Sequence, residues 1–182
     1  MKYTTLDSNL FIRNRELLSR KLDNKSIAIF NSNDVMPTNS DGTMPFKQNS
    51  DLFWLTSVDQ EESVFVMIKH NDLIKEILFL KETNEHIAIW EGAKLTKEKA
   101  NKNSGIQQVY WLTEMEKIIH KEITVLEKIY LNKNMHSRST SEVQTRDYRF
   151  RETMISQFPN KEIKEIAPIM HELRFIKSDL EV

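Results

Sequence analysis

Residues 45–69, PFKQNSDLFWLTSVDQEESVFVMIK, hold the densest apolar material in the chain and limit most strongly what it can fold into. Leu52, Phe53, Trp54 and Leu55 stand in a row, and Val64, Phe65, Val66, Met67 and Ile68 form a second unbroken run. Short runs of this kind, rich in β-branched and aromatic residues, read as strands buried on both faces. The polar residues 57–62 between them are few enough for a tight connection, which predicts a hairpin or close neighbours in one sheet.

The flanks alternate between two periodicities. Over residues 8–22, Leu10, Phe11, Leu17, Leu18 and Leu22 recur near helical spacing among charges, with Ser8 as the expected N-cap. Asp23-Asn24-Lys25 breaks that helix, and residues 26–30 (SIAIF) read as a strand. A long polar loop with Pro37 and Gly42 follows over residues 31–44. Beyond the central stretch, His70, Asn71 and Asp72 form a turn into a strand at 74–81, and 109–111 and 128–131 are further short strands. Thr113 and Glu116 read as a capping box opening a helix whose buried face is Met115, Ile118, Ile119, Ile123 and Leu126. Residues 141–158 read as another helix, with Glu142 in its first turn and Pro159 as its stop, and 168–173 as a last one. Such alternation predicts an α/β layered domain.

Composition narrows the function. With 182 residues the chain suffices for one domain, able to bury about 70% of its unfolded surface. A net charge of -1 with acids and bases interleaved supplies no field for nucleic acid or an anionic membrane. The basic run at 94–103 has no interleaved aromatics and is read as a solvated face. There is no cysteine, hence no disulfide and no thiolate chemistry, and no apolar run nears the ~20 residues that span a bilayer. A soluble, cytoplasmic protein is expected. The three glycines form no phosphate-cradling loop. The five histidines, His70, His86, His120, His136 and His171, are dispersed without ligand spacing, and Asp59, Glu61 and Glu62 read as a solvated turn. No catalytic or metal residue is expected in this chain.

Phe46, Gln48, Asn49, Ser50, Asp51, Phe53, Leu55, Thr56, Glu61 and Val64, in this order and spacing, resemble the signature of the N-terminal domain of Xaa-Pro aminopeptidases, within the creatinase/prolidase group. Ser57 departs from it by replacing a glycine, and Glu91 by replacing an aromatic residue. Trp90, Gly92 and Leu95 match a second family segment, and His171, Glu172, Leu173, Arg174, Lys177, Ser178 and Glu181 a third, the junction into the catalytic domain. The resemblance implies an α/β fold, a mixed sheet flanked by helices with a ribonuclease H-like motif. It implies a creatinase/prolidase N-terminal domain over residues 1–171 and, over 172–182, the junction and first turn of a pita-bread catalytic domain. The S-x-x-E capping box at Ser178 and Glu181, with only Val182 behind it, carries the expectation that the chain is cut there.

By the same resemblance, the whole enzyme is a metallopeptidase that removes the N-terminal residue from peptides with proline second. It uses two divalent metal ions, with manganese expected, held entirely by the catalytic domain, so no cofactor is expected here. This domain contributes to a homo-oligomer and to the active-site mouth of a neighbouring subunit. The implied substrate-binding residues are Trp90, as an apolar wall, and Asp41. The alternative is a peptide- or protein-binding module of a pita-bread protein that has lost catalysis, as in histone-chaperone subunits.

Overall fold

The computed structural model describes residues 6–84, 86, 89, 92–133 and 142–181. Six strands form one sheet: β1 (Ser26–Asn31), β2 (Val64–His70), β3 (Leu73–Leu80), β4 (Gln108–Trp111), β5 (Lys128–Leu131) and β6 (Glu162–Glu165), in the order β4-β3-β2-β1-β5-β6. β1, β2 and β3 make an antiparallel meander, with Ala28 opposite Met67 and Val66 opposite Ile77. β4 joins β3, β5 joins β1 and β6 joins β5, all in parallel. The sheet is therefore mixed, as expected.

Side chains alternate between two cores because successive strand residues point to opposite faces. Ala28, Phe30, Phe65, Met67, Leu78 and Leu80 face a cluster built with α1 (Ser8–Lys21), α2 (Ser50–Thr56), α3 (Lys97–Ser104) and α6 (Ala167–Phe175). Ile27, Ile29, Val64, Val66, Ile77 and Phe79 face a second, built with α4 (Met115–Thr124) and α5 (Arg146–Gln157). The result is a three-layer α/β/α domain.

Four sequence expectations are corrected. The LFWL run is helix α2, not a strand: Asn49 caps it, its Oδ1 accepting from the backbone N–H groups of Asp51 (2.9 Å) and Leu52 (3.2 Å). Leu52 and Leu55, three apart, are buried, while Phe53 and Trp54 are only half-buried. The hairpin is consequently β2–β3, turning through Asn71 at φ 56°. Asp7, not Ser8, caps α1. The expected helix over 141–158 begins at Arg146 with Thr145 as its cap, so Asp147 and not Glu142 lies in its first turn. In place of the Thr113 box, the Trp111 N–H donates to Glu114 Oε2 at 3.0 Å ahead of α4, and β6 has no counterpart among the sequence expectations.

Two polar anchors join the layers. Arg15 on α1 is 1% exposed; its Nη1 donates at 2.9 Å to the carbonyls of Leu55 and Ser104, in the last turns of α2 and α3, and its Nε lies 2.9 Å from Glu76 Oε2 on β3. Helix C-termini leave carbonyls unpaired and partially negative, so one cation answers two of them. Gly105 ends α3 at φ 76°, and a Cβ there would lie 2.8 Å from Ile12 Cδ1, so the close approach of α1 requires glycine. The second anchor is Asp23 in the α1–β1 turn. Its Oδ2 accepts from Lys128 (2.9 Å) and Tyr130 (2.9 Å) on β5 and from Lys164 (2.6 Å) on β6. These partners hold its carboxyl well below the usual range, the hydrogen bond from Lys164 foremost.

Replacing Arg15 strands the Glu76 carboxylate and two helix-end carbonyls together. Arg15→Ala is expected to cost about 3–5 kcal/mol, the usual loss for breaking a buried charge network from one side, read from urea unfolding.

Candidate functional site

Several residues of the family signature, Phe46, Gln48, Ser50 and Phe53, line one groove of about 930 Å3 between α1, the 45–50 segment, α2 and residues 174–181. Its walls are apolar, with Leu10 and Phe11 from α1, Phe46, and Phe53 and Trp54 from α2. Phe11 and Phe53 meet edge to face, with ring centroids 6.3 Å apart. Across the groove runs the 174–181 segment. Arg174 Nη1 donates to Asp51 Oδ1 at 2.5 Å, and Trp54 Nε1 to Glu181 Oε1 at 2.5 Å. The other oxygen of Glu181 accepts from the backbone N–H (2.9 Å) and Oγ (2.7 Å) of Ser178, so Glu181 reaches back as the S-x-x-E pattern requires. His171 and Glu172 are exposed, and Glu172 pairs with Lys21 at 2.6 Å.

Gln48, Asn49 and Asp51 of the QNSD signature each have a physical task. Gln48 is buried; its Nε2 donates to the carbonyls of Val58 (3.1 Å) and Gln60 (2.8 Å), and its Oε1 accepts from the Asn49 N–H (2.7 Å). Asn49 caps α2 with its oxygen while its Nδ2 donates to Asp147 Oδ2 at 3.4 Å. Asp51 holds Arg174. Ser57, where the family carries glycine, sits at the end of α2 with φ 61°, the left-handed conformation that glycine adopts without penalty.

Asp147, which Asn49 of the signature contacts, was not singled out by the sequence reading. It is 5% exposed at the start of α5, behind the end of β1, where Asn31 Nδ2 donates to its Oδ1 at 3.0 Å. Burial pushes its carboxyl up to about 6 despite the hydrogen bond from Asn31. The Asn31 Oδ1 is buried without a hydrogen-bond partner, so the neutral acid has an acceptor beside it once that amide turns over. An aspartate in a first turn reads from sequence as an ordinary dipole partner, and nothing local to it reveals the two asparagines.

Of the two residues implied by resemblance, Asp41 is exposed in the turn of the 36–44 loop. That loop is closed by the Pro37–Thr43 bridge and by the Met44 N–H donating to the Met36 carbonyl at 2.8 Å. Gly42 is needed there, since a Cβ would lie 2.7 Å from Thr38 Oγ1. Trp90 and Glu91 lie outside the described residues. The acids read as a solvated turn are tied to lysines instead, Glu61 to Lys94 and Glu62 to Lys81 (2.9 Å). Among the described residues no three histidine or carboxylate groups gather as a metal site. The described residues thus do not fit a two-metal centre.

The fold is that of an aminopeptidase P N-terminal domain. The chain belongs to the aminopeptidase P N-terminal domain family, whose model matches residues 11–130. It is 25% identical over 144 residues to a Xaa-Pro aminopeptidase of Haemophilus influenzae, covering 79% of this chain and 31% of that protein. Over 186 residues it is 23% identical to the Escherichia coli Xaa-Pro aminopeptidase, covering 94% and 40%. A Bacillus anthracis structure assigned as an aminopeptidase P superposes with a TM-score of 0.88 at 26% identity, covering 96% of this chain and 42% of its own. The chain spans less than half the length of each of these relatives.

Because the fold raises the Asp147 value above its ordinary 3.8, the native state keeps a proton that the unfolded chain has lost. The stabilisation this gives is complete below pH 4 and lost as pH rises through about 6. Two units correspond to about 3 kcal/mol. Asp147→Asn is expected to remove that slope: the stability difference between wild type and variant, from urea unfolding at pH 4 and pH 7, should change by about this amount.

Proposed function

We propose that this chain is the N-terminal, non-catalytic domain of a metal-dependent Xaa-Pro aminopeptidase, which removes the first residue of peptides whose second residue is proline. The observation that carries the reading is the junction clasp. Residues of two separate family motifs meet here, Asp51 of one holding Arg174 of the other, while Trp54 beside Asp51 holds Glu181. A clasp that fixes how the chain leaves the domain fixes how a catalytic half is oriented against it, and positioning of this kind is a catalytic contribution without chemistry.

In this reading residues 1–171 form the domain and 172–182 lead into the catalytic half. Two divalent metal ions, with manganese expected, would belong wholly to that half and activate a water for attack on the scissile carbonyl. This chain's residues hold, orient and enclose. Asp41, exposed on its braced loop, and Trp90 are proposed to reach the active-site mouth of a neighbouring subunit in a homo-oligomer, Trp90 as an apolar wall for the peptide. The cysteine-free composition supports a cytoplasmic address.

Two measurements test this. The 182-residue chain should release no N-terminal residue from Ala-Pro-Ala with or without manganese, whereas the chain joined to a catalytic half should; cleavage by the short chain alone overturns the reading. In the joined protein, Trp90→Ala should raise KM about tenfold or more with a smaller change in kcat, the mark of lost substrate binding. An unchanged KM removes Trp90 from the mouth.

A further inference from the structure

We propose that a second pocket, at the base of the Asp41 loop, binds the C-terminal end of a peptide: a free carboxylate preceded by an apolar side chain. The inference rests on the peptidase reading for the class of ligand, and on this chain's own residues for the site.

The pocket, about 420 Å3, lies between the 33–47 segment and the start of α5. Its distinguishing feature is a partly desolvated cation attracted by Asp34, Glu62 and Asp147 but paired directly with none of them. Arg146 is half-buried, and burial lowers the affinity of its guanidinium for its proton. Its Nη1 donates to Ser32 Oγ at 2.9 Å, and it forms no ion pair among the described residues. The acids that attract it are each engaged elsewhere. Asp34 is held by Arg149 Nη2 at 2.7 Å, Glu62 by Lys81 at 2.9 Å, and Asp147 by Asn31 and Asn49. Lys47, exposed on the opposite side, brings a second ammonium with no ion-pair partner among the described residues.

Burying a charge is costly unless it is paired, so this arrangement favours an incoming anion. A carboxylate meets a guanidinium fork with two parallel hydrogen bonds. The remaining lining is mixed, with Asn33, Gln144, Thr145 and the Arg149-bound Asp34 beside an adaptable apolar wall. Met36 and Met44, 40% and 54% exposed, flank the pocket with Pro45 and Val143, and methionine walls accommodate varied aliphatic shapes. Charge plus apolar wall matches the last residue of a peptide better than a bare inorganic anion. The same loop carries Asp41 in its exposed turn.

The test uses the 182-residue chain, with the methyl resonances of Met36 and Met44 followed during titration with acetyl-Ala-Leu, its C-terminal amide, and inorganic phosphate. The free acid should shift both methyls saturably and bind at least about tenfold more tightly than the amide. Arg146→Gln should erase that difference, and Lys47→Gln, at an exposed position where folding is not at risk, should weaken the acid while leaving the amide unchanged. Equal binding of acid and amide, no saturable shift with either, or phosphate binding as tightly as the acid would overturn the proposal. Cleavage of Ala-Pro-Ala by the joined protein tests the peptidase reading separately, so the two can fail independently.

Discussion

One guanidinium decides how the layers of this domain meet. Arg15 lies at the point where α1 crosses the ends of α2 and α3 above β3, and it satisfies a carbonyl from each helix while facing Glu76. Burial works against its charge and Glu76 works for it, so the ion is tolerable only with all its partners in place. The groove inherits this geometry. α1 supplies one wall through Leu10 and Phe11, and α2 supplies the other through Phe53 and Trp54, and Arg15 sets the distance between them.

The polar region at the end of β1 is a continuation of the same logic. Asn49 faces two ways, capping α2 and donating to Asp147 at the head of α5. Helices on opposite faces of the sheet are thereby linked through one side chain, and Asp51, two residues on, carries the link to Arg174 and the junction. The family signature is thus a continuous set of hydrogen bonds that runs from the core to the chain's exit.

Much of this was legible in the sequence where periodicity and local chemistry agreed. The apolar runs at 26–30 and 64–68 and the turn at His70–Asp72 into the 74–81 strand were legible as sheet elements, and the Ser178–Glu181 pattern announced a carboxylate reaching back. The LFWL run misled because four adjacent apolar residues satisfy a strand and a short helix equally, and only two of them prove to be buried. The signal that would have decided it was the Asn49 cap with Asp51 in the first turn. β6 was hidden because Glu162, Ile163, Lys164 and Glu165 offer one apolar residue in four, as an edge strand allows. Asp147 and Arg146 were beyond local reading, since their partners Asn31, Asn49 and Ser32 are about a hundred residues away in the chain.

The turn at Asp23 bears on the order in which the sheet assembles. β2 and β3 are joined by the turn at Asn71 and Asp72, and β1 reaches β2 across residues 32–63, a shorter closure than the return of β5. β5 must instead return to β1 from a separation of about a hundred residues, Ile129 opposite Ile27, and β6 can add only after it. Long-range parallel pairing is the slow part of such a topology, and until it is made one side of β1 stands open to other chains. Asp23 sits at the entrance to β1 and receives Lys128, Tyr130 and Lys164, all from the late-arriving strands. It ties the two strands most distant in sequence to the entrance of β1, on the side where β5 covers its edge.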